Sequence, residues 1–221
     1  MDDYYFVVME YADGINLTTL ISKMQQANRL IPPQYVTLAM YSLCSALGYD
    51  NRKKDEEGTT IEIIHGEINP DNIIINKDTD VKLVGLGISK ISSLLEYQHN
   101  KRVKNVAYAA PDVITSGTPT KAGDIFSIGV IFYELLTNRK PFTQEQISQK
   151  KFSTPMPPSR INEKTKDVID NVVLRCLAED PSKRFSDFQD IALQLEETLY
   201  DKGFSWSQAS FLKFLENNKI F

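Results

Sequence analysis

The sequence predicts an α+β fold in which helix dominates. Three observations predict it. An aromatic and β-branched run opens the chain, a group of short apolar runs lies near residues 61–84, and nearly everything after Asp124 shows helical spacing. The 221 residues are 42% hydrophobic and 24% charged, which is enough chain to bury a core and argues against disorder. Length points to one domain with an extension.

Residues 4–10 (YYFVVME) read as a buried strand, broken by Ala12-Asp13-Gly14. Asn16 caps a helix marked by Leu17, Leu20, Ile21 and Met24. Pro32-Pro33 opens a second helix, with Val36, Ala39, Met40, Leu43 and Leu47 at helical spacing. Residues 51–60 (NRKKDEEGTT) are charged and read as a solvated loop. Short strands are predicted at 61–64, 72–75 and 81–84, with Asn76-Lys77-Asp78-Thr79-Asp80 as the turn between the last two.

Ile125, Ile128, Val130, Ile131, Phe132, Leu135 and Leu136 surround one helix on nearly all sides, which places it at the centre of the domain. That apolar run is too short to span a bilayer. Further helices are predicted at 144–150, 163–178 and 187–200, with Pro155, Pro157 and Pro158 in a connecting loop. Ser205-Trp206-Ser207-Gln208 fits a capping box for a last amphipathic helix carrying Phe211, Leu212 and Leu215.

Composition also narrows function. Net charge is −4, from 25 basic and 29 acidic residues, which disfavours nucleic acid and anionic membranes as partners. Cys44 and Cys176 are too few for a disulfide framework or a zinc site and read as core hydrophobes. The first residues carry no basic n-region or signal-type apolar stretch. A cytoplasmic protein is the expectation.

The chemistry is carried by residues 63–89, IIHGEINPDNIIINKDTDVKLVGLGIS. This segment resembles the catalytic and magnesium loops of eukaryotic-type protein kinases, where H-R-D-L-K-P-E-N is followed by two strands and D-F-G. Here the loop stands as His65-Gly66-Glu67-Ile68-Asn69-Pro70-Asp71-Asn72, and the tripeptide as Gly85-Leu86-Gly87. Ala110-Pro111-Asp112 falls where A-P-E closes the activation segment. Asp124-Ile125-Phe126-Ser127-Ile128-Gly129 matches D-x-W-S-x-G, and Asp180-Pro181-Ser182-Lys183-Arg184 matches D-P-x-x-R. Five pieces in the family's order imply a protein kinase-like C-lobe over about residues 4–200.

The resemblance divides the chain into a last N-lobe strand and hinge (1–14), the C-lobe (15–203) and a C-terminal helical extension (204–221). It makes Met9 the gatekeeper and turns the Glu10 carbonyl and Ala12 amide toward an adenine, with Ile74 and Val84 lining the slot below. No G-x-G-x-x-G loop or V-A-I-K lysine precedes the hinge in this sequence; Lys90 stands where a third glycine after Gly85 and Gly87 would be needed.

The same resemblance implies lost chemistry. Phosphoryl transfer is mostly positioning and charge stabilisation. Gly85 replaces the aspartate that grips magnesium, so no metal ligand is expected there, and Asn72 is a neutral oxygen donor for a hard cation. Asn69 replaces the lysine beside the γ-phosphate. Glu67 keeps a carboxylate at the base position, one methylene longer, and a displacement of about 1 Å can cost roughly 10²-fold in rate. Gly66 stands where an arginine often receives a phosphorylated loop, and Asn105 where a threonine usually precedes Tyr108.

Scaffold residues are retained. The resemblance implies that His65 packs at the base of the loop, that Asp124 accepts backbone amides from it, and that Asp112 pairs with Arg184. The expected function is a pseudokinase that binds a protein partner, with a weak ATP site and no magnesium. The alternative is a weakly active, or N-lobe-completed, ATP-dependent serine/threonine kinase. For the tail, an amphipathic helix on its own bundle is favoured over a cover for the exposed strand at 4–10.

Overall fold

The structure is a computed structural model. It describes residues 8–50, 58, 63–86, 105–201 and 204–221. The predicted loop at 51–60, apart from Gly58, lies outside the described residues, as do residues 4–7, 61–62, Gly87 and Lys90.

A three-stranded antiparallel sheet orders β1 (Ile15–Asn16), β2 (Ile73–Ile75) and β3 (Val81–Leu83) side by side. The two-residue β1 carries no hydrophobic pattern and was not foreseen. It forms because Gly14 lets the chain come close: a Cβ there would sit 2.3 Å from the Ile75 carbonyl oxygen. Along β2, Ile73 and Ile75 point into the core. Of the strand predicted at 4–10, the described residues Val8, Met9 and Glu10 have no ladder partner and are exposed, Val8 to 96%. Ile63 and Ile64 likewise lie outside the strands. A strand needs backbone hydrogen bonds to a neighbouring strand, and the ladder of the described residues runs only through β1, β2 and β3.

Asn16 caps α1 (Leu17–Gln26), its side chain accepting the Thr19 N–H at 2.9 Å. Pro33 opens α2 (Pro33–Asp50). Helices α3 (Pro111–Ser116), α4 (Lys121–Thr137), α5 (Gln144–Ser148), α6 (Asp167–Cys176), α7 (Phe188–Leu199) and α8 (Gln208–Asn217) follow. Every residue of α4 from Gly123 to Thr137 is buried, as its all-round apolar sequence requires. Helix α2 packs along α7, and α4 along α6. Cys44 and Cys176 are fully buried in this core, and burial pushes the Cys176 thiol up to about 12. Among the described residues no helix is long and apolar enough to cross a membrane.

The last helix starts two residues later than its predicted cap. Ser207, not Ser205, is the N-cap, and Ser210 closes the box. Ser210 satisfies the N-cap amide through its hydroxyl, a role the sequence pattern reserves for Glu or Gln. Phe211, Leu215 and Ile220 are buried. Phe211 stacks on Tyr35 of α2 with ring centroids 5.0 Å apart, and Arg29 donates to Asn218 at 3.1 Å. The tail therefore lies on α1 and α2, as an amphipathic helix on its own bundle does.

One buried cation joins three segments. Arg184, with no side-chain exposure, donates to Asp112 at 2.7 Å and to the carbonyls of Ala178, Ala122 and Glu179 at 2.9, 2.9 and 3.1 Å. Its guanidinium also lies 5.0 Å from the Phe126 ring centre. Arg184→Ala is expected to cost about 3–5 kcal/mol of stability, because it strands an acid and three carbonyls. Asp112→Ala leaves the fully buried guanidinium without its carboxylate and is expected to cost a similar amount, about 3–5 kcal/mol. Urea unfolding followed by circular dichroism checks both values.

Candidate active-site cleft

The loop 65–72 hangs from one buried carboxylate. Asp124, in the first turn of α4, accepts the His65 N–H at 2.8 Å and the Gly66 N–H at 2.9 Å. Burial raises Asp124 from its ordinary 3.8 to about 6, against the lowering effect of those two donors. His65 is buried beneath the loop. Its Nδ1 accepts the Glu67 N–H at 3.2 Å, so Nε2 carries the proton and donates to the Val84 carbonyl at 3.1 Å. Burial lowers the pKa of His65, which favours the neutral ring.

The two asparagines of the loop face inward. Asn69 accepts the Asp71 N–H through Oδ1 at 2.9 Å and donates to the Glu67 carbonyl at 2.9 Å. Asn72 donates to that same carbonyl at 2.8 Å. The Val84 N–H then donates to the Asn72 carbonyl at 2.8 Å, tying the loop to β3. Thr18 of α1 donates to Asp71 at 2.6 Å. These bonds make residues 67–72 a closed turn and engage the amide N–H groups of Asn69 and Asn72 within it. Glu67 lies half-buried beside Asn69, Asn105 and Tyr108, around a cavity of only about 30 Å³.

Above the loop lies an open cleft of about 510 Å³, walled by Met9, Glu10, Ala12, Leu47, Val84 and Gly85 among others. Ile74 is not among its walls. It shares a sheet face with its cross-strand partner Lys82 but leans on Gly14. Lys82 itself lines the cleft and forms an ion pair with Glu10, which lowers the Glu10 carboxyl and raises the lysine. That pair ties the exposed segment 8–13 to the sheet.

Gly85 sits at φ +88°, where an L side chain is strained whatever the space around it. A Cβ built there would lie 3.7 Å from the Asn72 amide carbon, so the strain is in the backbone and not in packing. Among the described residues, the side-chain donor that the structure places at Gly85 is one neutral amide oxygen, on Asn72. This does not fit magnesium, which is bound through carboxylates and substrate phosphates in near-octahedral geometry.

A second polar cluster escaped the sequence reading. Tyr108 donates to Glu134 of α4 at 2.8 Å, and Lys140 donates to both, at 2.6 and 2.8 Å. Burial, then the Glu134 charge, drives the Tyr108 phenol upward. Glu134 inside an otherwise apolar helix was the available signal, because a buried carboxylate demands partners.

This arrangement defines a kinase-type C-lobe: a histidine-anchored loop on a buried aspartate, a two-strand return and an acid–arginine pair. The family model for the protein kinase domain matches residues 1–198, and the chain belongs to that family. It is 29% identical over 205 residues to serine/threonine-protein kinase PrkC of Bacillus subtilis (strain 168), covering 90% of this chain and 30% of that protein. It is 27% identical over 186 residues to serine/threonine-protein kinase PknB of Mycobacterium leprae, covering 81% and 28%. Tyrosine-protein kinase MasK of Myxococcus xanthus is 24% identical over 200 residues, covering 88% and 31%. The chain thus spans about a third of the length of these relatives.

The raised Asp124 has a consequence for stability. The folded state holds a proton there at pH values where the unfolded chain has released it, so its contribution is full below about 3.8 and is lost as pH rises toward about 6. The stability difference between the parent and Asp124→Asn is expected to shrink across that window. Urea titrations at several pH values measure it.

Proposed function

We propose that this chain is a kinase-family lobe that transfers no phosphate itself and serves as a protein-binding module. The observation that carries the reading is the backbone at Gly85. The position that would grip a divalent cation has no side chain and a dihedral angle that disfavours one. Around it, Asn69 and Asn72 are engaged in holding the loop. The Asp124 anchor and the Asp112–Arg184 pair remain, so the frame persists without the charges that move phosphate. The cleft over Val84 and Met9 retains apolar walls that suit an adenine ring but is open to solvent, which supports weak nucleotide binding at best.

Glu67 keeps a carboxylate at the base position and favours the competing reading of residual serine/threonine kinase activity. One assay separates the two. The chain is incubated with labelled ATP, magnesium and a mixture of serine- and threonine-bearing peptides. No label is expected on any acceptor or on the chain. Magnesium-dependent label that disappears in Glu67→Ala would establish the competing reading instead.

Restoring the acid does not restore the reaction. Gly85→Asp is expected to lower stability by about 1–3 kcal/mol, the usual cost of a strained backbone residue, and to remain inactive. Thermal unfolding and the same label assay check both parts. A Gly85→Asp variant of unchanged stability that labels peptides would overturn the argument from backbone strain.

A further inference from the structure

A second open cavity of the described residues lies at the seam between the kinase lobe and the C-terminal helix. It measures about 610 Å³ and is walled by Leu38 and Tyr41 of α2, Asp80 and Val81 at the start of β3, and Trp206 and Gln208 near the start of α8. The last two lie beyond the residues that match the kinase family, which end at 198, so the family's shared frame does not supply this wall.

Its walls are fixed. The indole N–H of Trp206 donates to the Leu199 carbonyl at 3.0 Å, and Ser207 beside it is held in the capping box. The Tyr41 hydroxyl donates to Glu196 at 3.2 Å. The 76–80 turn is closed by Asp80 N–H on the Asn76 side chain at 2.8 Å and Asn76 N–H on the Asp80 carbonyl at 3.1 Å. Asn76 reaches only Oδ2 of the Asp80 carboxylate, at 3.3 Å.

The chemistry of these walls is one-sided. Two aromatic residues and a rim carboxylate line the space, a second carboxylate stands behind Tyr41, and no lysine, arginine or histidine lines it among the described residues; Lys82, whose pKa the Asp80 charge also raises, is paired with Glu10. Aromatic faces attract cations, and a guanidinium both stacks on a ring and forks onto a carboxylate.

We propose that this cavity receives an arginine side chain from a partner protein, its guanidinium set against Trp206 and Tyr41 and paired with Asp80. The proposal rests on the binding-module reading and gives that module a recognition element.

Trp206 is the only tryptophan, so its fluorescence reports on the cavity directly. The full chain is titrated with acetyl-Gly-Arg-Gly-amide, with the citrulline counterpart as neutral isostere and with methylguanidinium as free cation. A saturable change with the arginine peptide is expected, with none from citrulline. Asp80→Asn should weaken that binding by about fivefold, while Asp78→Asn, on the same turn but outside the cavity walls, should leave it unchanged. A linear response, an equal response to citrulline, or an Asp80→Asn variant that binds normally would overturn the proposal. Methylguanidinium binding as tightly as the peptide would assign the cavity to a free small cation and overturn the partner. The titration contains no ATP, so its failure leaves the inactivity argued from Gly85 in place.

Discussion

Two backbone N–H groups on a single carboxylate organise the loop at the mouth of the cleft. Asp124 accepts from His65 and Gly66 at the point where the chain would otherwise present unpaired amides to the core. The same stretch of α4 supplies the other attachments. The Ala122 carbonyl receives Arg184, the Ser127 hydroxyl donates to the Tyr108 carbonyl at 2.8 Å, and Glu134 receives the Tyr108 phenol. Helix α4 can do this because its apolar side chains are buried on every side, so its polar groups are fixed points rather than mobile ones.

The division between what is kept and what is absent follows from energetics. Groups in the frame are buried, and losing one partner leaves the other stranded at a cost of several kcal/mol. The side chains of Asn69 and Asn72, by contrast, bond to the loop's own backbone. Asn69 illustrates the second case. In place of a cation it caps a short 3-10 turn and joins Asn72 on the Glu67 carbonyl, so the substitution closes the loop more tightly. The bonds at positions 112, 124 and 184 hold the architecture, and none of them depends on a side chain at position 85.

How much of this was legible depends on the kind of signal each residue leaves. The α4 core, the Asn16 cap and the Pro33 start are written in periodicity and capping chemistry, and the structure places them as read. The Arg184–Asp112 pair lies 72 residues apart and was legible only through the family resemblance, since no local pattern links such positions. The two-residue β1 left no trace, because its pairing rests on a glycine's close approach and not on apolar alternation. Ile74 was expected in the adenine slot; its place against Gly14 depends on that same unforeseen strand. The cap of α8 was displaced by two residues because a serine can do the work expected of a glutamine. Gly85 is the instructive case: the sequence shows a missing carboxylate, and the structure adds a positive φ, a backbone conformation that favours glycine.

The lobe carries two surfaces whose chemistry is separable. The cleft at Gly85 and the cavity at Trp206 share no residue except Val81, at the start of β3. Their charged groups differ as well: Lys82 and Glu10 neutralise one another at the cleft, whereas Asp80 stands at the cavity without a salt-bridge partner among the described residues. Helix α8 sharpens the separation. Docked through Phe211, Leu215 and Ile220, it buries apolar surface of α1 and α2 and in doing so builds one wall of the cavity. Positions 80 and 206 thus belong to a surface that includes neither Gly85 nor the loop 65–72, so the chemistry proposed for the cavity places no demand on the chemistry of the cleft.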